Sequence, residues 1–203
     1  APAMDGGMYE HPATQQNLDI LLKRGVQVVG PAEGHLASGL LGKGRMVEPL
    51  ELLGQARLAL GRGGPLAGKK VVVTAGGTHE PIDPVRVIAN RSSGKQGFAL
   101  AQAALDLGAE VTLISGPVAL PKPVGVAQVD VETAEQMLQA VLSALPGADV
   151  LVMAAAVADF RPSEKASQKI KKEQGTLQIM LQNTPDILKE VALIKGKEGW
   201  PRI

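Results

Sequence analysis

The run Lys70-Val71-Val72-Val73-Thr74, followed at once by Ala75-Gly76-Gly77-Thr78, decides how this chain folds. Consecutive β-branched residues without polar alternation mark a strand buried on both faces, as in a parallel sheet covered by helices. Two glycines directly after it imply a tight turn at the strand's carboxyl end. The theme then repeats. A long loop carrying Pro81 and Pro84 leads to a helix predicted from about Lys95 to Leu107 and ended by Gly108. Glu110-Val111-Thr112-Leu113-Ile114 reads as the next strand and Val126-Ala127-Gln128-Val129-Asp130-Val131 as a third. Thr133, with Gln136 three residues on, carries the signature of a capping box. Ala134, Met137, Leu138, Val141, Leu142 and Leu145 then keep the spacing of an amphipathic helix. Pro146-Gly147 stops it, and Asp149-Val150-Leu151-Val152-Met153-Ala154 reads as another buried strand. Strand, helix, strand, helix, strand gives an α/β fold: a Rossmann-like parallel sheet with flanking helices and right-handed crossovers.

Towards the amino terminus, Leu60-Gly61-Arg62-Gly63-Gly64-Pro65-Leu66-Ala67-Gly68 holds four glycines and a proline and reads as a linker. This sets an expected organisation of residues 1–59, a linker 60–68, and a domain 69–203. The first block offers one helix, roughly Thr14 to Arg24, a short strand Val26-Gln27-Val28-Val29, and then a loop rich in glycine. That is too little to fold alone, so it reads as the tail of a larger domain. Both ends look cut: the chain opens Ala1-Pro2-Ala3-Met4 and stops at Trp200-Pro201-Arg202-Ile203, where a strand could begin, so the second domain is expected to be incomplete.

Composition removes several function classes. With 45% hydrophobic residues in 203, one good core can form. A formal net charge of +1 provides no field for gripping nucleic acid, and aromatics at 2% provide no base-stacking platform. The absence of cysteine excludes disulfides, thiolate catalysis and cysteine-ligated zinc, and fits a cytoplasmic setting. No apolar run approaches the roughly 20 residues that span a bilayer, and no signal peptide opens the chain.

In a sheet of this kind ligands gather at the carboxyl ends of the strands, and three loops leave those ends. In the first, Thr74–Thr78, small residues allow backbone N–H groups to approach an anion, although a tight turn required by the fold reads equally well. The pattern is neither Gly-x-Gly-x-x-Gly nor a Walker loop. The second, Asn90-Arg91-Ser92-Ser93-Gly94-Lys95, opens a helix and suits a phosphate. Ordinary capping would explain the two serines but not Asn90 and Arg91 ahead of them. The third is Met153-Ala154-Ala155-Ala156-Val157-Ala158-Asp159-Phe160-Arg161-Pro162. Its small residues let a flat ring lie on the backbone, with Asp159 placed for ribose or base; the bland alternative is alanines packed under a helix, with Asp159 as a cap. Lys165 and Lys169-Ile170-Lys171-Lys172, flanked by Glu164 and Glu173, are either a solvated face or a lysine flap over a triphosphate.

Together these segments resemble the phosphopantothenate–cysteine ligase half of the bifunctional bacterial coenzyme A biosynthesis family, whose other half is a flavin-dependent phosphopantothenoylcysteine decarboxylase. The matching stretches run in order from about Gly68: Thr74–Thr78, Asp83-Pro84-Val85-Arg86, Asn90 to Phe98, Ser115-Gly116-Pro117, Ala154 to Pro162, Lys169–Lys172 and Asn183-Thr184-Pro185-Asp186-Ile187. The resemblance implies that CTP activates the phosphopantothenate carboxylate as an acyl-cytidylate, releasing pyrophosphate, and that cysteine then displaces CMP. It implies Asn90 at the acyl group and Lys169 on developing phosphate charge. Met153, Ala154, Ala155, Asp159, Pro185, Asp186, Ile187 and Leu188 would hold the nucleotide. Gly76, Gly77, Arg86, Ser92, Ser93 and Gly94 would line the phosphate and substrate site. Mg2+ would arrive with the triphosphate, there being no carboxylate cluster to bind metal independently. CTP rather than ATP rests on the resemblance alone, as does a homodimer or higher homo-oligomer.

The first block resembles the end of the decarboxylase half, a partial flavodoxin-like tail, through Pro2-Ala3-Met4-Asp5, Pro12-Ala13-Thr14-Gln15, Gly34-His35-Leu36-Ala37-Ser38-Gly39 and Gly44-Arg45-Met46. The family often has Asn at position 5, on the substrate carboxylate, and Cys at position 38, as proton donor. Here they are Asp5 and Ser38. A carboxylate repels the substrate's own unless protonated, and a hydroxyl is a far poorer acid than a thiol. FMN belongs to the upstream part of that half, so no decarboxylation by this chain is expected. Two rivals share the fold class: a non-catalytic or regulatory relative, and a nicotinamide-dependent oxidoreductase. The latter wants an acidic residue after the second strand, where Ile114-Ser115-Gly116-Pro117 stands.

Overall fold

The computed structural model describes residues 1–171 and 177–198, with side chains up to 194. Lys172, Glu173 and Trp200–Ile203, on which expectations were placed above, lie outside the described residues. The chain divides into two compact units, Ala1–Ala59 and Leu60–Ile203.

In the first unit Asp5 caps the short helix α1 (Gly6–Glu10), accepting from the Gly7 N–H. Helix α2 (Pro12–Lys23) starts with Pro12 where its missing N–H costs nothing. The strand expected at Val26–Val29 is absent: these residues have β propensity but no neighbouring strand to pair with. Strands form instead in the stretch read as a glycine loop. β1 (Ala32–His35) and β2 (Leu41–Arg45) make an antiparallel hairpin. Glycine is needed there for close approach. A Cβ on Gly44 would lie 2.1 Å from the Met4 carbonyl oxygen, and the Met4 N–H donates to the Gly44 carbonyl at 2.9 Å. Helix α3 (Pro49–Gly61) was not foreseen either. Leu50, Leu53 and Leu60 are all exposed, so its leucines give no clear amphipathic stripe to read.

The glycine-rich segment after it is not a loose tether. Gly61 is buried at the end of α3, and the Leu66 N–H donates to the Leu107 carbonyl at 2.9 Å. A Cβ on Gly64 would come within 2.3 Å of the same carbonyl oxygen. Gly61 and Gly64 therefore permit packing of backbone on backbone.

The second unit runs β3 (Lys70–Ala75), β4 (His79–Pro81), β5 (Val87–Ala89), α4 (Lys95–Asp106), β6 (Glu110–Ser115), β7 (Ala127–Asp130), α5 (Ala134–Ala144), β8 (Val150–Met153), β9 (Phe160–Pro162), β10 (Leu181–Asn183) and α6 (Ile187–Glu198). Its sheet has the order β7-β6-β3-β8, every pair parallel. Counted along the unit that is 3-2-1-4, the doubly wound order, whose switch point lies between β3 and β8. β3 is buried along Val71 to Ala75 as expected, whereas β8, at the edge, is only half-buried. Both halves of the Thr133–Gln136 capping box are present.

Alternation along β3 sends Val73 and Ala75 to one face and Val72 and Thr74 to the other. On the first face α4 packs so closely that a Cβ on Gly97 would lie 2.5 Å from the Ala75 Cβ. On the second, Val72 and Ile114 join Met137, Leu138, Val141 and Leu145 of the α5 region and Ile187 and Val191 of α6. Each such aliphatic side chain, fully buried, contributes about 1.5–3 kcal/mol. Two short antiparallel ribbons, β4–β5 and β9–β10, sit outside the sheet; β4, β5 and β9 fall in stretches read as loop from the sequence.

Candidate functional site

Three loops meet at the switch point, and each is fixed by contacts with the others. Thr74, fully buried at the end of β3, accepts through Oγ1 from the N–H groups of Ala154 and Ala155, both at 3.2 Å. The Ala156 N–H donates to the Gly76 carbonyl at 2.7 Å, and the Thr78 hydroxyl, also fully buried, accepts from the Ala158 N–H at 2.9 Å. Gly76 has φ +77°, and a Cβ on it would meet the Gly116 carbonyl oxygen at 3.1 Å. A Cβ on Gly77 would lie 2.9 Å from the Asn90 carbonyl oxygen. The turn therefore needs its glycines for steric reasons. Gly76 and Gly77 are nonetheless buried with N–H groups that have no partner among the described residues, an uncommon condition for buried backbone.

The second loop crosses this turn. Gly94, with φ +71°, is the N-cap of α4, and no side chain caps that helix. Ser92 and Ser93 make only long contacts, from the Gly94 N–H at 3.4 Å and the Lys95 N–H at 3.5 Å. Capping thus does not account for the serines. The Asn90 side-chain amide donates from Nδ2 to the Val157 carbonyl at 3.0 Å, tying the second loop to the third.

The third loop forms one wall of a cleft of about 620 Å³. Met153, Ala155 and Asp159 line it together with Pro185, Asp186, Ile187 and Leu188, all candidates from the sequence. Ala154, also a candidate, does not line it; its N–H donates to Thr74 Oγ1, as does that of Ala155. Asp186 caps α6, accepting from the Lys189 N–H at 3.1 Å, so the amino end of that helix contributes to the cleft. Phe160, Asn183 and Thr184 line it as well and were not singled out individually. Their role follows from the β9–β10 ribbon, which sets Phe160 opposite Asn183, and from the Thr184 N–H donating to the Asp159 carbonyl at 3.0 Å. That pairing depends on contacts remote in sequence, so only the Asn183-Thr184-Pro185 string itself could have signalled it.

Two candidates stand elsewhere. Arg86 is engaged by the fold: its Nε donates to Asp83 Oδ2 at 2.9 Å and its Nη2 to the Ile170 carbonyl at 2.7 Å. The buried Asp83 also accepts from the Ile170 N–H at 3.1 Å and from the N–H groups of Val85 and Arg86. Burial pushes the Asp83 carboxyl upward, but the Arg86 guanidinium and these N–H groups outweigh it and hold the carboxyl well below its ordinary value. Lys169 is exposed and not part of the cleft lining; it sits next to Ile170, which the Asp83–Arg86 pair grips by both backbone groups. In the first unit the Ser38 hydroxyl donates to the Asp5 carboxylate. That bond, followed by the Gly7 N–H, lowers the Asp5 carboxyl below its ordinary 3.8, so it is ionised at neutral pH.

Among the described residues no three His, Asp or Glu side chains gather where they could hold a metal ion. No helix among them is long and apolar enough to cross a membrane.

The sheet order and the clustering at its switch point define an open, doubly wound parallel α/β protein with its candidate site at the carboxyl ends of β3 and β8. The chain belongs to the family described as DNA/pantothenate metabolism flavoprotein C-terminal domain, which matches residues 66–200. Residues 1–56 match the family described as Flavoprotein. The chain is 47% identical over 201 residues to the coenzyme A biosynthesis bifunctional protein CoaBC of Bacillus subtilis, covering 98% of this chain and 50% of that protein. It is 51% identical to the CoaBC of Mycobacterium bovis, covering 100% of this chain and 50% of that protein. The chain thus spans about half the length of the curated relatives it matches. A crystal structure of the C-terminal domain of CoaBC is similar with a TM-score of 0.57 and 46% identity, covering 64% of this chain and 61% of that one.

Proposed function

We propose that the second unit is the phosphopantothenate–cysteine ligase of coenzyme A biosynthesis, using CTP to activate the carboxylate. The observation that carries this reading is the bond from the Asn90 amide to the Val157 carbonyl. It sets a candidate for acyl chemistry directly against the wall of the cleft proposed for the nucleotide. A free carboxylate is a poor acyl donor, and joining it to a nucleotide supplies a leaving group. The unpartnered N–H groups of Gly76 and Gly77, with the serines at the start of α4, support phosphate binding beside Asn90.

In this reading Asn90 keeps Nδ2 on Val157, and its Oδ1 faces the acyl carbon and the attacking amine. Ala155, Asp159 and the 185–188 lip hold the cytidine. Lys169 neutralises phosphate charge from a segment anchored at Ile170. Mg2+ travels with the triphosphate, since no carboxylate cluster among the described residues would hold it independently. The substrates are phosphopantothenate and cysteine. A homodimer is supported by the exposed apolar residues Phe160, Met180 and Leu181 around the β9–β10 ribbon. FMN would serve the flavoprotein unit and has no part in the ligase chemistry. A nicotinamide oxidoreductase is disfavoured because β6 ends in Ser115-Gly116-Pro117, with the Ser115 hydroxyl donating to the Gly116 carbonyl and no acidic side chain there for a ribose. Pyrophosphate release that requires both CTP and phosphopantothenate tests the reading, and a non-catalytic relative would release none.

A further inference from the structure

The buried hydroxyls of Thr74 and Thr78 have partners that a purely structural threonine does not need. Thr74 Oγ1 accepts from two successive N–H groups, Ala154 and Ala155, and donates to the Met153 sulfur at 3.6 Å. One donor and two acceptor positions are all a hydroxyl has, so Thr74 is saturated by a single three-residue segment. In a strand, successive N–H groups point to opposite sides. Two of them converging on one oxygen mean that the extended ladder cannot continue, and β8 does end at Met153. Thr78 then takes the Ala158 N–H at 2.9 Å, and the Ala158 carbonyl accepts the Thr184 hydroxyl from the opposite lip of the cleft. Between them Ala156 is held by two backbone bonds, its N–H donating to the Gly76 carbonyl at 2.7 Å and its carbonyl accepting the Thr78 N–H at 3.3 Å.

We infer that Thr74 and Thr78 are positioning residues that shape the 154–158 backbone as a nucleotide wall without touching the nucleotide themselves. This rests on the reading of the cleft as a nucleotide site. The phosphate turn and the base wall become one wired unit, so the separation of phosphate from base is set by two side chains of β3 and its turn. Valine at either position keeps the shape but strands the half-buried N–H groups of Ala154 and Ala155, or the buried one of Ala158, which then drives the wall to rearrange. Serine keeps the hydroxyl.

The test uses the full-length protein with Thr74→Val, Thr74→Ser and Thr78→Val, measuring CTP affinity by calorimetry and the KM for each substrate by pyrophosphate release. Thr74→Val should weaken CTP binding about tenfold and Thr78→Val about fivefold, while the phosphopantothenate KM stays within about twofold. Thr74→Ser should bind CTP within about threefold of the parent. CTP binding that survives both valine substitutions, or is lost equally in the serine variant, overturns the proposal while leaving the ligase reading intact. A parent protein that binds no CTP overturns that reading and this proposal with it. Thr78→Val, which removes one bond rather than three, carries the comparison if Thr74→Val does not fold.

Discussion

Arg86 reaches Ile170 across the second unit, its Nη2 donating to the Ile170 carbonyl at 2.7 Å while Asp83, which Arg86 also holds, accepts the Ile170 N–H. A buried carboxylate and a guanidinium thus clasp one residue of the lysine-bearing segment by both its backbone polar groups. The Asp83 carboxyl is held below its ordinary 3.8 in the folded chain, so the fold favours its ionised form. Its stabilising contribution is complete above that ordinary value and is lost as pH falls through the lower folded one. Urea midpoints measured from neutral pH downward should show a constant gap between the parent and Asp83→Asn until about pH 4, then a narrowing gap below it. A gap that widens in acid would contradict the clasp.

Gly97 meets β3 without room for a methyl group: its Cβ would lie 2.5 Å from the Ala75 Cβ and 2.8 Å from the Thr74 carbonyl oxygen. Alanine ordinarily favours a helix over glycine by about 1 kcal/mol, whereas overpacking costs about 1–3 kcal/mol and backbone yields least. Gly97→Ala should therefore lower stability by about 1 kcal/mol net in chemical unfolding. An unchanged or raised midpoint would show that α4 can lift from the strand.

Ser38 and Asp5 form a pair in the first unit, and the hydroxyl is the main cause of the lowered Asp5 carboxyl. Ser38→Ala should move the Asp5 titration upward towards 3.8, read from its carboxyl carbon by NMR. No movement would mean that the Gly7 N–H alone sets the value.

The parallel sheet was legible because its signals are local. Val71–Val73 needed burial on two faces, and Thr133 with Gln136 gave both bonds of the capping box. What escaped depends on partners distant in sequence. The β1–β2 hairpin hid behind Gly34, Gly42 and Gly44, the last of which lets the Met4 backbone pass, while Val26–Val29 had the propensity but no strand to pair with among the described residues. At the site, Asp159 was read from the loop after β8 and Pro185–Leu188 from the family resemblance alone, and all of them line one cleft. Arg86 was placed at the substrate site by the resemblance; its bond to the Ile170 carbonyl was not legible, because that acceptor is a backbone atom that no residue type announces. Thr74 was read as a strand end and the start of the glycine turn; its hold on the third loop was hidden for the same reason, its partners there being N–H groups of alanines.

The ligase reading predicts that Asn90 matters for chemistry far more than for folding. Asn90 is exposed and its bond to Val157 is single, so Asn90→Ala should cost about 1 kcal/mol of stability or less. The most direct measurement is pyrophosphate release from CTP together with amide formation from phosphopantothenate and cysteine, for the full-length protein and for Asn90→Ala. The account predicts release that requires both CTP and phosphopantothenate, and amide formation lowered about 100-fold in the variant. No release by the parent protein, or amide formation unchanged by Asn90→Ala, would contradict it.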